Sequence, residues 1–284
     1  MKLEEDPAWL DAQYNNRLRV PEHGQVIERW QKASAWARER SSCRLDVAYG
    51  NSPAERLDVF PAPHANAPVL VFIHGGWWRS LDKRDHSFIA PAFNQAGAMV
   101  VLPNHALCPE VSIDEIVMQM VRAVAWTFRH AALYGGDPKR IVVAGHSAGG
   151  HLATMLLSCQ WPEVARDLPA SLVSSALAIS GIFDLEPIAR TPFLQADLHL
   201  SPAAVARLSP ARFERPRGVI TAVVGALESE EFLRQTQLIQ AAWGAGTVPV
   251  CEAIEGLNHF DILQDLADPD TRLHRLARDL LKLP

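Results

Sequence analysis

The sequence predicts an α/β fold with a mainly parallel eight-stranded sheet flanked by helices. Three observations carry this. Short β-rich runs alternate with helical ones over most of the 284 residues, an order that implies parallel strands joined by helical crossovers. The runs at residues 69–73 and 98–102 are continuously apolar, as strands covered on both faces must be. Almost half of the chain is apolar, enough at this length to bury a sizeable core.

The elements follow in order. Residues 1–42 are polar, with a helical stretch at 25–40, and are expected to form an N-terminal arm packed on the main body. Arg44–Ala48 and Arg56–Phe60 read as a leading pair of strands. Residues 69–73 and 98–102 are the next two, with a helix expected over 84–95. Residues 113–133 carry a long helical pattern, apolar at Ile113, Ile116, Val117, Met120, Val121, Val124 and Phe128. Gly135, Gly136 and Pro138 end it. A strand at 141–144 leads into a helix at 147–159. Strands at 177–179 and 219–224, a helix over Glu230–Trp243, a strand at 248–254 and a closing helix at 263–281 complete the pattern. Residues 185–216 break the rhythm with Pro187, Pro192, Pro202, Pro210 and Pro216. They read as a cap over the C-terminal edge of the sheet; a plain surface insertion is the alternative. Residues 1–284 are expected to form one domain.

Composition excludes some functions. The net charge is −5 with both signs interspersed, unlike the clustered basic footprint of a nucleic-acid binder. Cys43, Cys108, Cys159 and Cys251 lie far apart, which argues for free thiols in a reducing compartment. The start, MKLEEDPAWLDAQY, has no apolar core of a signal peptide, and no apolar run reaches the length of a membrane span. The expected location is cytoplasmic. The expected partner is a small-molecule amide or ester, with no nucleic acid, no membrane and no cofactor; a homodimer is a compatible assembly. No metal-ligand spacing stands out, and His86 with Asp82 and Asp85 reads as a solvated loop.

The chemistry concentrates in two motifs. Gly145-His146-Ser147-Ala148-Gly149 fits G-x-S-x-G between an apolar strand and a helical run, the setting of a nucleophile elbow. This predicts an α/β-hydrolase fold with Ser147 as nucleophile. Serine needs a base, and the base an orienting acid, in the chain order Ser, Asp/Glu, His. His259 follows the last strand, where the base belongs, whereas His146 and His151 read as packing or hydrogen-bonding residues. Glu228 follows the penultimate strand, with Asp184 as the second candidate acid. Glu230 and Glu231 are expected to face solvent at a helix start. The second motif, His74-Gly75-Gly76-Trp77-Trp78, follows the strand at 69–73. The N–H groups of Gly75, Gly76 and Ala148 would form the oxyanion hole. Trp77 and Trp78 would wall the pocket, one of them serving only as core. His105, Asn104, Arg190 and Asn258 are candidates to hold a polar substrate head group.

The chain resembles the kynurenine formamidase (arylformamidase) branch of the hormone-sensitive-lipase-type α/β hydrolases. The resemblance rests on H-G-G-x-W, G-H-S-A-G and a terminal Asn258-His259-Phe260. It extends to Gln13-Tyr14-Asn15, Leu107-Cys108-Pro109, Ile116-Val117 with Gln119, the run from Ser180 to Pro187 and the run from Glu231 to Gln235. It implies Ser147 and His259 in their usual roles and removal of a formyl group from an aryl amide such as N-formylkynurenine. The chain departs from the family in having Glu228 where aspartate is usual, and in lacking a tyrosine near Asn104-His105. A short-chain carboxylesterase on the same triad is the competing reading, and a non-catalytic binding protein the reading from another class.

Overall fold

The computed structural model describes residues 6–283. Eight strands form one sheet: β1 (Arg44–Ala48), β2 (Arg56–Phe60), β3 (Ala67–Ile73), β4 (Met99–Pro103), β5 (Gly136–His146), β6 (Ser175–Ile179), β7 (Val219–Gly225) and β8 (Val250–Ile254). Their order is β1-β2-β4-β3-β5-β6-β7-β8. β2 pairs antiparallel with β1 and β4, and every later pairing is parallel. Each strand lies where the apolar runs place it.

Successive side chains of a strand point to opposite faces, and the two faces carry separate cores. Val69, Val71, Ile73, Val101, Val143, Ala178 and Val224 face one way, against the helices Ile113–His130, Ala148–Leu157 and Glu230–Trp243. Leu70, Phe72, Val100, Val142, Leu177, Ile179 and Val223 face the other. There they meet Trp30 and Val26 of the arm, Phe93, and the helices Ile262–Ala267 and Arg272–Leu281. Helix Ile113–His130 shows why these segments are helical. Ser112 caps it by accepting from Glu115 N, acids fill its first turn and Arg129 and His130 its last. Gly135, at φ 82°, turns the chain after it.

Two expected helices come out differently. Residues 84–95 form 3₁₀ turns at Lys83–Asp85 and Ser87–Ile89, and helix begins only at Ala90. The capping box of Asp82 and Asp85 winds the first turn, so that Lys83 is driven into the interior. The closing segment at 263–281 is two helices, broken at Asp268, whose backbone is extended ahead of Pro269. The loop expected to be solvated is packed: His86 is fully buried and Asp85 nearly so. In the 185–216 excursion the prolines start helices, at Pro192–Leu198 and Pro202–Leu208 among others, because proline suits the first helical turn. No helix among the described residues is long and apolar enough to cross a membrane.

The arm is tied down at its start. Tyr14 is buried, donates to Glu231 at 2.5 Å and accepts from Gln235 at 3.2 Å. Glu231 is therefore not a solvent-facing residue; it is 4% exposed and also takes Arg234 at 2.6 Å. Burial, and then the Glu231 charge, raise the Tyr14 pKa well above its ordinary value.

One buried ion pair supports the antiparallel edge. Lys83 Nζ, 5% exposed, lies 2.6 Å from Asp58 of β2, itself 1% exposed, and 2.8 Å from Asp46 of β1. Removing one partner of a buried pair strands the other charge, which typically costs about 3–5 kcal/mol. Lys83→Ala should lower unfolding stability in urea by about that amount; a change under about 1 kcal/mol would show that Asp58 is hydrated.

Candidate active site

Ser147 follows β5 at φ 57°, ψ −119°, a strained conformation that persists only where its surroundings impose it. Here the imposition is backbone against backbone. Ser147 N donates to Ile179 O of β6 at 2.8 Å. The next helix starts so close to β3 that a Cβ on Gly149 would lie 2.1 Å from Ile73 O, and one on Gly145 2.1 Å from Gly149 O. Those two glycines are what allow the elbow. Ala148 is the first helical residue, so its N–H has no acceptor within the helix.

Glu228 and His259 follow the ends of the last two strands. The Glu228 side chain is fully buried. Oε1 accepts from Ser180 Oγ at 2.5 Å and Gly225 N at 2.8 Å, and Oε2 lies 2.6 Å from His259 Nδ1. A carboxylate only accepts, so Nδ1 carries the proton and Nε2 keeps a free lone pair. The two loops are stitched together by Ala226 N to Ile254 O and Leu227 N to Leu257 O. His259 packs against Phe232 (4.7 Å between centroids) and His146 (4.5 Å). Burial, and then the neighbouring His259, hold His146 well below the ordinary histidine pKa. Asp184 lies elsewhere, paired with Arg212 at 2.9 Å.

The H-G-G-W-W segment turns back on itself. Gly76 (φ 107°), Trp77 (56°) and Trp78 (57°) are all left-handed. A Cβ on Gly76 would lie 2.1 Å from Ser80 O. Gly75 lies against the elbow, where a Cβ would come 3.1 Å from that of Ser147. Behind the turn, His74 Nδ1 donates to Gly75 O at 2.8 Å. His74 stacks on His105 (4.4 Å, 15°) and on His86 (5.7 Å, 19°). The rings stack rather than converge, and no metal-holding group forms among the described residues. His86 and His105 each donate Nδ1 to a carbonyl and leave Nε2 buried without a partner. Burial pushes both pKa values down to about 3.

Ser147, His259, His146, Gly76 and Trp77 open on one cavity of about 640 Å³. Trp77 stands edge-on to Tyr14 (5.8 Å) and Phe193 (6.2 Å). Trp78 is the core residue of the two, fully buried with its edge toward His151. His105 does not reach the cavity, because it is locked in the histidine stack. Asn104 is likewise consumed by His74, Lys83 N and Asp82. Asn258 caps its own turn, accepting from Phe260 N at 2.8 Å and Asp261 N at 3.1 Å. It borders a smaller cleft beside Glu228 instead. Arg190 is a surface residue near Glu186. The reading of the sequence missed Asn15, Asn16, Arg17 and Leu18 of the arm, and Phe193 and Asp197 of the 185–216 excursion, all of which line the cavity. Gln13-Tyr14-Asn15 stood out in the sequence without any hint that the arm reaches the site.

Together, the parallel sheet with its strained serine and its histidine braced by a buried carboxylate define an α/β hydrolase. The BD-FAE family model matches residues 57–188. A kynurenine formamidase from Danio rerio is 32% identical over 256 residues, covering 87% of this chain and 84% of the relative. Esterase LipC from Mycobacterium tuberculosis is 32% identical over 145 residues, covering 49% of this chain and 36% of that protein. A crystal structure from Silicibacter sp. TM1040, provisionally described as a thioesterase, superposes with a TM-score of 0.81 at 30% identity, covering 93% of this chain and 97% of that one. The chain belongs to the kynurenine formamidase family.

The histidine stack has a consequence for stability. His86 and His105 stay neutral when folded down to about pH 3, but take up protons when unfolded below about 6.5. The unfolded state therefore binds more protons in that window. Stability is full above pH 6.5 and falls with decreasing pH, by up to about 1.4 kcal/mol per pH unit for each such histidine. His86→Phe, in a pocket already lined by Trp30, Phe72 and Phe88, should flatten this slope in urea titrations between pH 7 and 4.5. An unchanged slope would assign the acid sensitivity to other groups.

Proposed function

We propose that this enzyme removes the formyl group from an aryl formamide of the N-formylkynurenine type, with Ser147 as nucleophile, His259 as base and Glu228 as its orienting acid. His259 Nε2 takes the proton of Ser147 Oγ as the hydroxyl attacks the formyl carbon. The oxyanion rests on N–H groups of Gly75, Gly76 and Ala148, each donor worth typically about 2.7–4 kcal/mol. As the tetrahedral intermediate collapses, the C–N bond breaks and the aryl amine leaves with the proton from His259. Water, deprotonated by His259, then cleaves the formyl ester of Ser147 and releases formate. Glu228 fixes the tautomer and stabilises the imidazolium.

The observation that carries the hydrolytic part is the 2.6 Å bond from His259 Nδ1 to a fully buried carboxylate, on a cavity shared with Ser147. The choice of formamide is supported by the extent of similarity, which spans 87% of the chain for the formamidase and 49% for the esterase. Aromatic walls around Trp77 suit an aryl leaving group and a small acyl group. Four unpaired cysteines support a cytoplasmic setting. Residues 185–216 serve as the cap of a single domain in this reading, through Phe193 and Asp197 on the cavity.

The test is kcat/KM for N-formyl-L-kynurenine against p-nitrophenyl acetate, with Ser147→Ala as the blank. A preference of a hundredfold or more for the formamide is expected. Ester hydrolysis with negligible formamide turnover would favour the carboxylesterase, and neither activity above the blank would favour a binding protein. Glu228→Gln should lower kcat about 10³-fold or more with the fold intact by circular dichroism. A near-normal rate would take the acid role away from Glu228.

A further inference from the structure

We propose that Arg17, with the side-chain amide of Asn16, binds a carboxylate on the leaving-group half of the substrate, so that the N-terminal arm selects acidic aryl amides or esters. This rests on the proposed hydrolysis at Ser147 and goes beyond it, since neither residue belongs to the reacting machinery.

The charges lining the cavity, besides its histidines, are Arg17, Arg79 and Asp197. Arg79 is already paired: its Nη1 meets Asp197 and donates to Phe193 O at 2.9 Å, and the guanidinium lies over the Phe193 ring at 5.3 Å. His146 is held neutral. Arg17 is the remaining cation. Its one side-chain contact among the described residues is a long bond of 3.4 Å to Ser80 Oγ. Among the described residues the lining so carries one positive charge without an acidic partner, on a guanidinium whose fork suits a carboxylate.

Asn16 is the second, independent observation. It lines the same cavity as well as the smaller cleft beside Glu228, is 5% exposed, and its buried side-chain nitrogen has no hydrogen-bond partner among the described residues. A buried donor left unmade is costly, and such a donor on a pocket wall points to an acceptor on the ligand. The two residues are adjacent in chain, and their positions are fixed. Asn15 accepts from Leu18 N at 3.3 Å, and Tyr14 anchors the segment through Glu231 and Gln235. Ser80, which Arg17 touches, donates to Gly76 O at 3.0 Å. The anchor therefore sits one residue-width from the oxyanion turn, at the solvent rim of the cavity. A formyl group at Ser147 would leave the acidic end of an aromatic amine pointing at the arm.

The experiment compares substrates with and without a carboxylate on the leaving group; the ester pair differs by that group alone. N-formyl-L-kynurenine is paired with formanilide, and 4-acetoxybenzoate with phenyl acetate, on wild type, Arg17→Ala and Arg17→Lys. An anchor bound equally in ground and transition states acts on KM and not on kcat. Arg17→Ala should narrow the KM advantage of the carboxylated member about tenfold, with kcat for that member held. Arg17→Lys should restore part of it. In wild type that advantage should also shrink as salt rises from 20 to 500 mM, and in Arg17→Ala it should not. Equal losses on both members of each pair would make the arm merely structural and overturn the proposal, as would an unchanged KM ratio. If wild type cleaves the esters and not the formamides, the formyl assignment fails, and the ester pair still decides the role of Arg17.

Discussion

A single buried carboxylate organises the C-terminal half of the sheet. Glu228 has no solvent to satisfy it, so its charge depends on the donors around it. They come from three different loops: Ser180 beyond β6, Gly225 at the end of β7 and His259 beyond β8. Each donor is in place only when its strand is in register. The strained serine on β5 is held by the same ladder, through Ser147 N on Ile179 O of β6. Ser147, His259 and Glu228 are thus tied to four neighbouring strand ends, and the sheet converts register into geometry.

The other half of the site is built by the arm and by turns behind the sheet edge. Lys83 reaches down between Asp58 and Asp46, and that buried pair holds the 82–86 turn against β1 and β2. The turn carries His86, which stacks on His74, and His74 braces Gly75 O. A chain of packed rings and one ion pair therefore links the antiparallel edge to the glycine turn beside Ser147. On the opposite wall, Phe193 N donates to Asp11 Oδ1 of the arm and Arg79 grips Phe193 O and Asp197. Arm, glycine turn and the helix Pro192–Leu198 close over one cavity, contributing side chains from regions far apart in sequence.

Much of this was legible in the residues. The inner strands and the elbow announced themselves, because a strand covered on both faces must be apolar and an elbow must be small on either side of the serine; the edge strands β1 and β8, largely uncovered, were read from short β-rich runs. His259 and Glu228 were placed by chain order alone, since loops after successive parallel strands emerge at the same edge. The segment at 84–95 was misjudged because a capping box and an inward lysine leave no periodic trace. The break at Asp268 is marked in the sequence by Pro269, which disfavours helix at the residue before it.

What the sequence determined by itself was the sheet, the elbow and the order in which Ser147, Glu228 and His259 follow their strands. These depend on local sterics and on a periodicity of two, which neighbouring residues record. Only the tertiary structure decided which polar groups face the cavity. His105, Asn104 and Asn258 are spent on internal hydrogen bonds, while Arg17 and Asn16, on an arm with no motif of its own, face the cavity. Whether a polar side chain is free or already satisfied depends on partners distant along the chain, and a linear pattern does not encode that.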